Sequence, residues 1–224
     1  MADQDLSLRV LNLGTIPYAE AFDLQKKLVE DVACGVSANT LLVCQHPAVI
    51  TYGRRCGRAH ILVSEEEIIR RGVELYQTDR GGDVTYHGPG QAVFYPIFDL
   101  KKLGQDLHHY MRMLEEAIVT PLREHFGLNA CRREGLTGVW VGPYKVGFIG
   151  IAVKKWVAYH GMSLNVGVDP ASFSLIRPCG LDVKVASIND FFSDEVRLET
   201  ICDMIVEQMA HVFQLEATGG SRQW

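Results

Sequence analysis

The chain has 224 residues, 47% of them apolar and 22% charged, with a net charge of −5 at pH 7. These proportions suit a globular protein with a sizeable core, and the absence of any basic block or tail excludes nucleic acid as the main partner. No apolar run approaches the roughly 20 residues that cross a bilayer, and the start, MADQDLSLRV, lacks the basic and apolar regions of a secretion signal. A cytoplasmic protein without a membrane partner is expected.

Taken in chain order, residues 7–14 (SLRVLNLG) alternate like a strand, and 17–33 carry Tyr18, Phe22, Leu28, Val29 and Val32 at helical spacing, with Pro17 suited to a first helical turn. NTLLVCQHPAVITYG, residues 39–53, reads as a buried strand, a His-Pro turn and a second strand. Ser64 and Glu67 form a capping-box pattern before a short helix through Arg71. ELYQTD and QAVFYPIFDL read as strands on either side of a glycine-rich loop. A long helix is expected from 105 to 125, with Pro121 kinking it or breaking off its last turn. TGVWV, KVGFIGIAV and WVAYHGMSLNV suggest an antiparallel meander whose first turn is GPY. A last helix spans 198–213, with Ile201, Ile205, Met209 and Phe213 four apart. Without repeats or linkers, this order predicts one α+β domain over residues 1–224, ending in a loose tail, with a mostly antiparallel or mixed sheet flanked by helices.

The six cysteines, at 34, 44, 56, 131, 179 and 202, show no CxxC pair and no zinc-ligand spacing. In a reducing compartment they read as free thiols, and no metal site is expected. Four further features could carry chemistry. RGGDVTYHGPGQ, residues 80–91, holds four glycines and a proline in twelve residues. Its backbone could approach a ligand closely, although a bulged hairpin takes glycine just as readily. It lacks the ending of a P-loop and the G-x-G-x-x-G pattern, so nucleotide binding gains no support. Tyr-His-Gly occurs at 86–88 and again at 159–161, which suggests that His87 and His160 line one cavity. Lys145 opens an otherwise apolar strand, where it is either a solvent-facing edge residue or a buried amine able to support a thiolate. Cys179 sits in a Pro-Cys-Gly turn that would present its sulfur.

Together RGGDVTYHGPGQ, KVGFIG, the second YHG and PCG, in this order and spacing, resemble the lipoyl(octanoyl) transferases of the biotin/lipoate protein ligase fold. The resemblance implies that Cys179 is acylated and that Lys145 assists it. It implies a substrate pocket formed by Arg80, Gly81, Gly82, Asp83, Val84, Thr85, Tyr86 and His87, by Phe148, Ile149 and Gly150, and by His160, Gly161, Met162 and Ser163. Arg177, and Gly147 with Phe148, depart from the usual residues near the cysteine and the lysine, and bear on the depth of the acyl pocket. The implied donor is octanoyl-acyl carrier protein, whose phosphopantetheine arm carries the acyl group. The implied acceptors are lipoyl domains of 2-oxoacid dehydrogenases and the glycine-cleavage H protein. Neither ATP nor a metal cofactor is implied.

Both classes of protein partner are acidic, so a basic face is expected. Arg54, Arg55 and Arg58 are the first candidates for docking the carrier, and Arg70, Arg71, Arg132 and Arg133 are further ones. The alternatives are an ATP-dependent ligase on the same fold, a cysteine hydrolase built on Cys179 and His160, and a binding module without turnover.

Overall fold

In the computed structural model, which describes residues 7–53, 58–178 and 183–218, the expected strands form two sheets. β1 (Ser7–Thr15), α1 (Tyr18–Ala33) and β2 (Asn39–Gln45) open the chain. Pro17 is the N-cap of α1, not a residue of its first turn, because its extended ψ of 141° still lies outside the helix. β3 (Val49–Gly53), α2 (Glu65–Arg70), β4 (Glu74–Thr78) and β5 (Thr85–His87) follow. β3 lies between parallel β4 and antiparallel β5 in a small sheet of its own. The loop expected between the strands at 74–79 and 91–100 therefore holds a three-residue strand in its middle.

β6 (Gln91–Asp99), α3 (Leu107–Glu124), β7 (Ala130–Arg133), β8 (Leu136–Val141), β9 (Tyr144–Lys154) and β10 (Val157–Asn165) build most of the large sheet. After them come β11 (Lys184–Val185), α4 (Leu198–Val212) and β12 (Glu216–Thr218). The sheet order is β12-β1-β2-β6-β10-β9-β8-β7, with β11 alongside β9. β1 runs parallel to β2 and β12, β11 parallel to β9, and the remaining pairs are antiparallel. The meander expected over 137–166 is β8-β9-β10.

The two-residue period of the central strands sorts their side chains into two cores. Leu41 and Val43 of β2, Phe94 and Phe98 of β6, and Ala158, Met162 and Leu164 of β10 pack with α3 and α4. Their neighbours Leu42, Cys44, Val93, Tyr95, Ile97, Val157 and Tyr159 pack with α1 on the opposite face. A third cluster joins the small sheet to the large one. It contains Ile50, Tyr52 and Tyr86 with Phe148 of β9, and Phe173 of a 3-10 helix at Pro170–Leu175.

Two helix ends differ from expectation. Asp106 accepts from the His108 and His109 N–H groups at 2.9 and 3.0 Å, which starts α3 at Leu107 rather than at 105. Pro121 does not end α3, which continues to Glu124. The proline forfeits one hydrogen bond, while Ile118, Val119 and Leu122 hold the last turn in the core. At α2, Ser64 accepts from Glu67 N–H at 3.3 Å, but the Glu67 carboxylate pairs with Arg70 and Arg71, so the box is only half made. Among the described residues no helix is long and apolar enough to cross a membrane.

Candidate active site

A cleft of about 530 Å³, its open mouth included, lies between the 80–87 segment and strands β9 and β10. The glycines of RGGD allow that segment to settle on β9. Gly81 N–H donates to Ile151 O at 2.8 Å, and a Cβ on Gly150 would sit 3.1 Å from Gly81 O and 3.2 Å from Arg80 Cδ. Arg80 is anchored from behind, its Nη2 donating to Thr51 O at 2.7 Å and to Thr51 Oγ1 at 3.0 Å.

Lys145 enters from β9 and is only 3% exposed. Its Nζ donates to Thr137 O at 2.9 Å and lies 4.9 Å from the Trp140 ring centre and 5.0 Å from that of Phe148. The side chain crosses directly over Gly138, where a Cβ would come within 2.7 Å of Lys145 Cε and 2.6 Å of Gly147 O. The apolar surroundings expected for this lysine are present, and the reading of a solvent-facing edge residue is not met.

His87 and His160 both line the cleft. His87 Nδ1 donates to Gln91 Oε1 at 2.6 Å, and Gln91 in turn donates to Asn165 Oδ1 at 2.9 Å. Burial, with nearby His46 as a second cause, pushes the His87 imidazole down to about 3, so it is neutral at neutral pH. His160 Nε2 donates to Asp79 Oδ1 at 2.8 Å, and Tyr159 Oη donates to Asp79 Oδ2 at 2.7 Å. Burial lowers the His160 value, opposed by Asp79. The hydrogen bonds from His160 and Tyr159 hold the Asp79 carboxyl at about 2, against desolvation. A neutral imidazole donating to an ionised carboxylate accounts for both directions.

Of the residues expected in the pocket, Arg80, Gly82, Asp83, Val84, Thr85, His87, Phe148, Ile149, Gly150, His160, Gly161, Met162 and Ser163 line this cleft together with Lys145. Gly81 and Tyr86 are not among the residues that line it. Tyr86 packs edge-on against Phe173 with ring centres 5.5 Å apart. Three lining residues were not anticipated: Tyr18, Val93 and Tyr95. Tyr18 begins α1, its hydroxyl donates to Thr78 Oγ1 at 3.2 Å, and burial pushes it up to about 12. Val93 and Tyr95 belong to the face of β6 that alternation assigns to the α1 side, a signal the sequence did contain. Asp83 Oδ1, Thr85 Oγ1 and His160 Nδ1 are buried with no partner among the described residues.

Cys179, Arg54 and Arg55 lie outside the described residues. Arg58 pairs with Glu65, Arg70 and Arg71 with Glu67, and Arg132 with Glu116 at 3.4 Å. Arg133 donates to Gly142 O at 2.6 Å. Each of these described arginines thus has a partner within its own chain. Among the described residues no three His, Cys, Asp or Glu side chains gather as metal ligands.

The sequence matches the family model of the lipoyl protein ligase A/B catalytic domain over residues 17–210. It is 41% identical to an octanoyltransferase of Caldicellulosiruptor saccharolyticus over 210 residues, which cover 93% of this chain and 89% of that protein. The fold is similar to that of lipoate-protein ligase A bound with ATP, at a TM-score of 0.73 and 18% identity, covering 96% of this chain and 88% of that one. It is similar also to a bipartite lipoate protein ligase from Thermoplasma acidophilum, described with its E2 lipoyl domain, at a TM-score of 0.72 and 19% identity, covering 96% and 86% of the two chains. At those identities the two structures speak for the fold alone, whereas the family match and the octanoyltransferase similarity extend along nearly the whole sequence. The chain belongs to the lipoyl protein ligase A/B catalytic domain family, among its octanoyltransferases.

Proposed function

We propose that this octanoyltransferase works by a two-step relay in which Cys179 carries the octanoyl group as a thioester and Lys145 handles the protons. The Cys179 thiolate attacks the thioester carbonyl of octanoyl-acyl carrier protein. A new C–S bond forms, the carrier's C–S bond breaks, and the departing carrier thiolate takes a proton from Lys145. The ε-amine of a lipoyl-domain or H-protein lysine then attacks the enzyme thioester. Lys145 accepts the proton that the amine nitrogen sheds, and Cys179 leaves as thiolate. Both steps exchange acyl bonds of an already activated donor, so the relay calls on neither ATP nor a metal.

The observation that carries this reading is the burial of Lys145 in the wall of the cleft lined by the glycine-rich segment and both Tyr-His-Gly histidines. Chain connectivity supports it further: Val185, six positions beyond Cys179, pairs in register with Lys145. Six residues reach at most about 20 Å. Apolar Val84, Phe148, Ile149 and Met162 in the same wall suit a saturated chain. An acceptor of the lipoyl-domain class is in keeping with the Thermoplasma ligase, which is described with its E2 lipoyl domain.

Intact-protein mass spectrometry after mixing with octanoyl-carrier protein, without ATP or acceptor, tests the relay. One octanoyl adduct is expected, absent in Cys179→Ser and discharged by an apo lipoyl domain. An adduct that persists in Cys179→Ser overturns the nucleophile. Discharge to water at an unchanged rate when acceptor is added assigns a hydrolase. Acceptor modification only with ATP and free octanoate assigns a ligase.

A further inference from the structure

Behind Lys145 stands a charge that the relay leaves unused. Glu115 of α3 is fully buried, and a buried carboxylate persists only where its oxygens are satisfied. One oxygen, Oε2, pairs with Arg112 Nη1 at 2.5 Å, one helical turn back. The other, Oε1, accepts the backbone N–H of Gly138 at 2.9 Å. The carbonyl of that same peptide group belongs to Thr137, and it accepts Lys145 Nζ at 2.9 Å.

Carboxylate, peptide and lysine thus form one hydrogen-bonded series. An ionised acceptor on the N–H side polarises the peptide and makes its carbonyl a stronger acceptor for the lysine. The same contact fixes Gly138, the residue over which the lysine side chain must pass.

We propose that Glu115 is a positioning residue for Lys145, acting through the single peptide group between Thr137 and Gly138. The inference rests on Lys145 serving the reactive thiol. The carboxylate holds Nζ at one point and lends it negative potential, which favours a cation beside the thiolate. The other charged or titratable groups lining that cleft are Arg80, Asp83, Tyr18, Tyr95, His87 and His160.

The test is the pH dependence of single-turnover acyl-enzyme formation, read by intact mass, in the full chain. Glu115→Gln keeps an oxygen for Gly138 N–H but removes the charge. Without that anion both Lys145 and the reactive thiol lose their protons more readily, so its profile is expected to move to lower pH by about half a unit to one unit, with the donor KM unchanged. Glu115→Asp keeps the charge but is one methylene shorter, so it gives up the Gly138 N–H; its single-turnover rate is expected to fall while the donor KM stays unchanged.

Lys145→Ala separates the two levels of the argument. If Lys145→Ala leaves the profile in place, the lysine reading falls and this inference with it. If Lys145→Ala shifts the profile while Glu115→Gln does not, Glu115 only anchors α3 to β8, and this inference alone is overturned. Should Glu115→Gln fail to fold, Glu115→Asp decides: a slower single turnover with the donor KM unchanged supports the proposal, and a wild-type rate overturns it.

Discussion

Gly138→Ala strikes the point where fold and chemistry share one atom's worth of space. Gly138 holds φ at +130°, a region that costs a side-chain-bearing residue about 1–3 kcal/mol. The added Cβ would lie 2.6 Å from Gly147 O, which is ladder backbone, and 2.7 Å from Lys145 Cε. The carbonyl cannot give way without disturbing β8 and β9, so the lysine must move. Overpacking of this kind costs about 1–3 kcal/mol more, for a total of about 2–6 kcal/mol with a midpoint near 4. In a chain of this size that lowers Tm by about 10 °C and leaves part of the usual 5–15 kcal/mol of stability. Displacing the lysine by about 1 Å is expected to slow acyl-enzyme formation up to 100-fold.

Gly135→Ala is the matched control. Its φ is +71°, but nothing lies within 4 Å of a Cβ there, so it should lose about 1–2 kcal/mol through backbone strain alone and keep its acylation rate. Thermal unfolding and single-turnover mass spectrometry of the two variants side by side make the comparison. If Gly138→Ala unfolds no earlier than Gly135→Ala and acylates at the wild-type rate, the close passage of the lysine over Gly138 has no consequence and the reasoning fails.

Acid sensitivity follows from the buried imidazoles. His87 titrates at about 3 in the fold against 6.5 outside it, so between those values the unfolded chain binds a proton that the folded chain refuses. Stability is therefore complete above pH 6.5 and falls as pH drops, by about 2 kcal/mol from this residue at pH 5. His46 and His160 are lowered in the same direction by burial. Urea unfolding at pH 7 and pH 5 should show His87→Gln losing about 2 kcal/mol less than wild type over that interval; parallel losses would contradict the assignment. Reversing Arg54, Arg55 and Arg58 to glutamate should slow association with the carrier protein, most at low salt, because charge on a docking rim acts on the on-rate. Stopped-flow association rates that are equal at low ionic strength would remove this face from the docking surface.

The elements that alternation or helical spacing predicts are those whose side chains the core selects. β1, β2, β6 and the β8–β10 meander, α1 and α4 all place apolar residues where the cores of the large sheet lie. β5, β7, β11 and β12 have two to four residues each, too few for a period to register. Their positions are fixed by neighbours distant in sequence. The same limit applied to the site. The types of Lys145, His87 and His160 are conspicuous in glycine-rich or apolar company, whereas nothing in the sequence around Glu115 sets it apart within the helix. Only the packing of α3 against β8 brings it to Gly138 N–H.

The two Tyr-His-Gly triplets show where local sequence stops deciding. His87 lies in the short strand β5, whereas His160 has φ +55° in the middle of β10, a costly conformation for a histidine in a strand. The cause lies in β6. The register pairs Ala158 with Phe98 and Met162 with Phe94, which sets His160 opposite Pro96. Pro96 has no N–H to give, and its Cδ crowds Gly161, where a Cβ would come within 2.5 Å. The ladder between β10 and β6 lapses there, and the His160 N–H turns to Gln25 Oε1 of α1 at 2.8 Å. The left-handed turn sends the imidazole toward α1, where it stacks on Phe22 with ring centres 5.1 Å apart and reaches Asp79. Without it, strict alternation would put residue 160 on the face of Ala158 and Met162, under α3 and α4. One proline in the neighbouring strand thus turns a histidine from the helical core into the wall of the cleft.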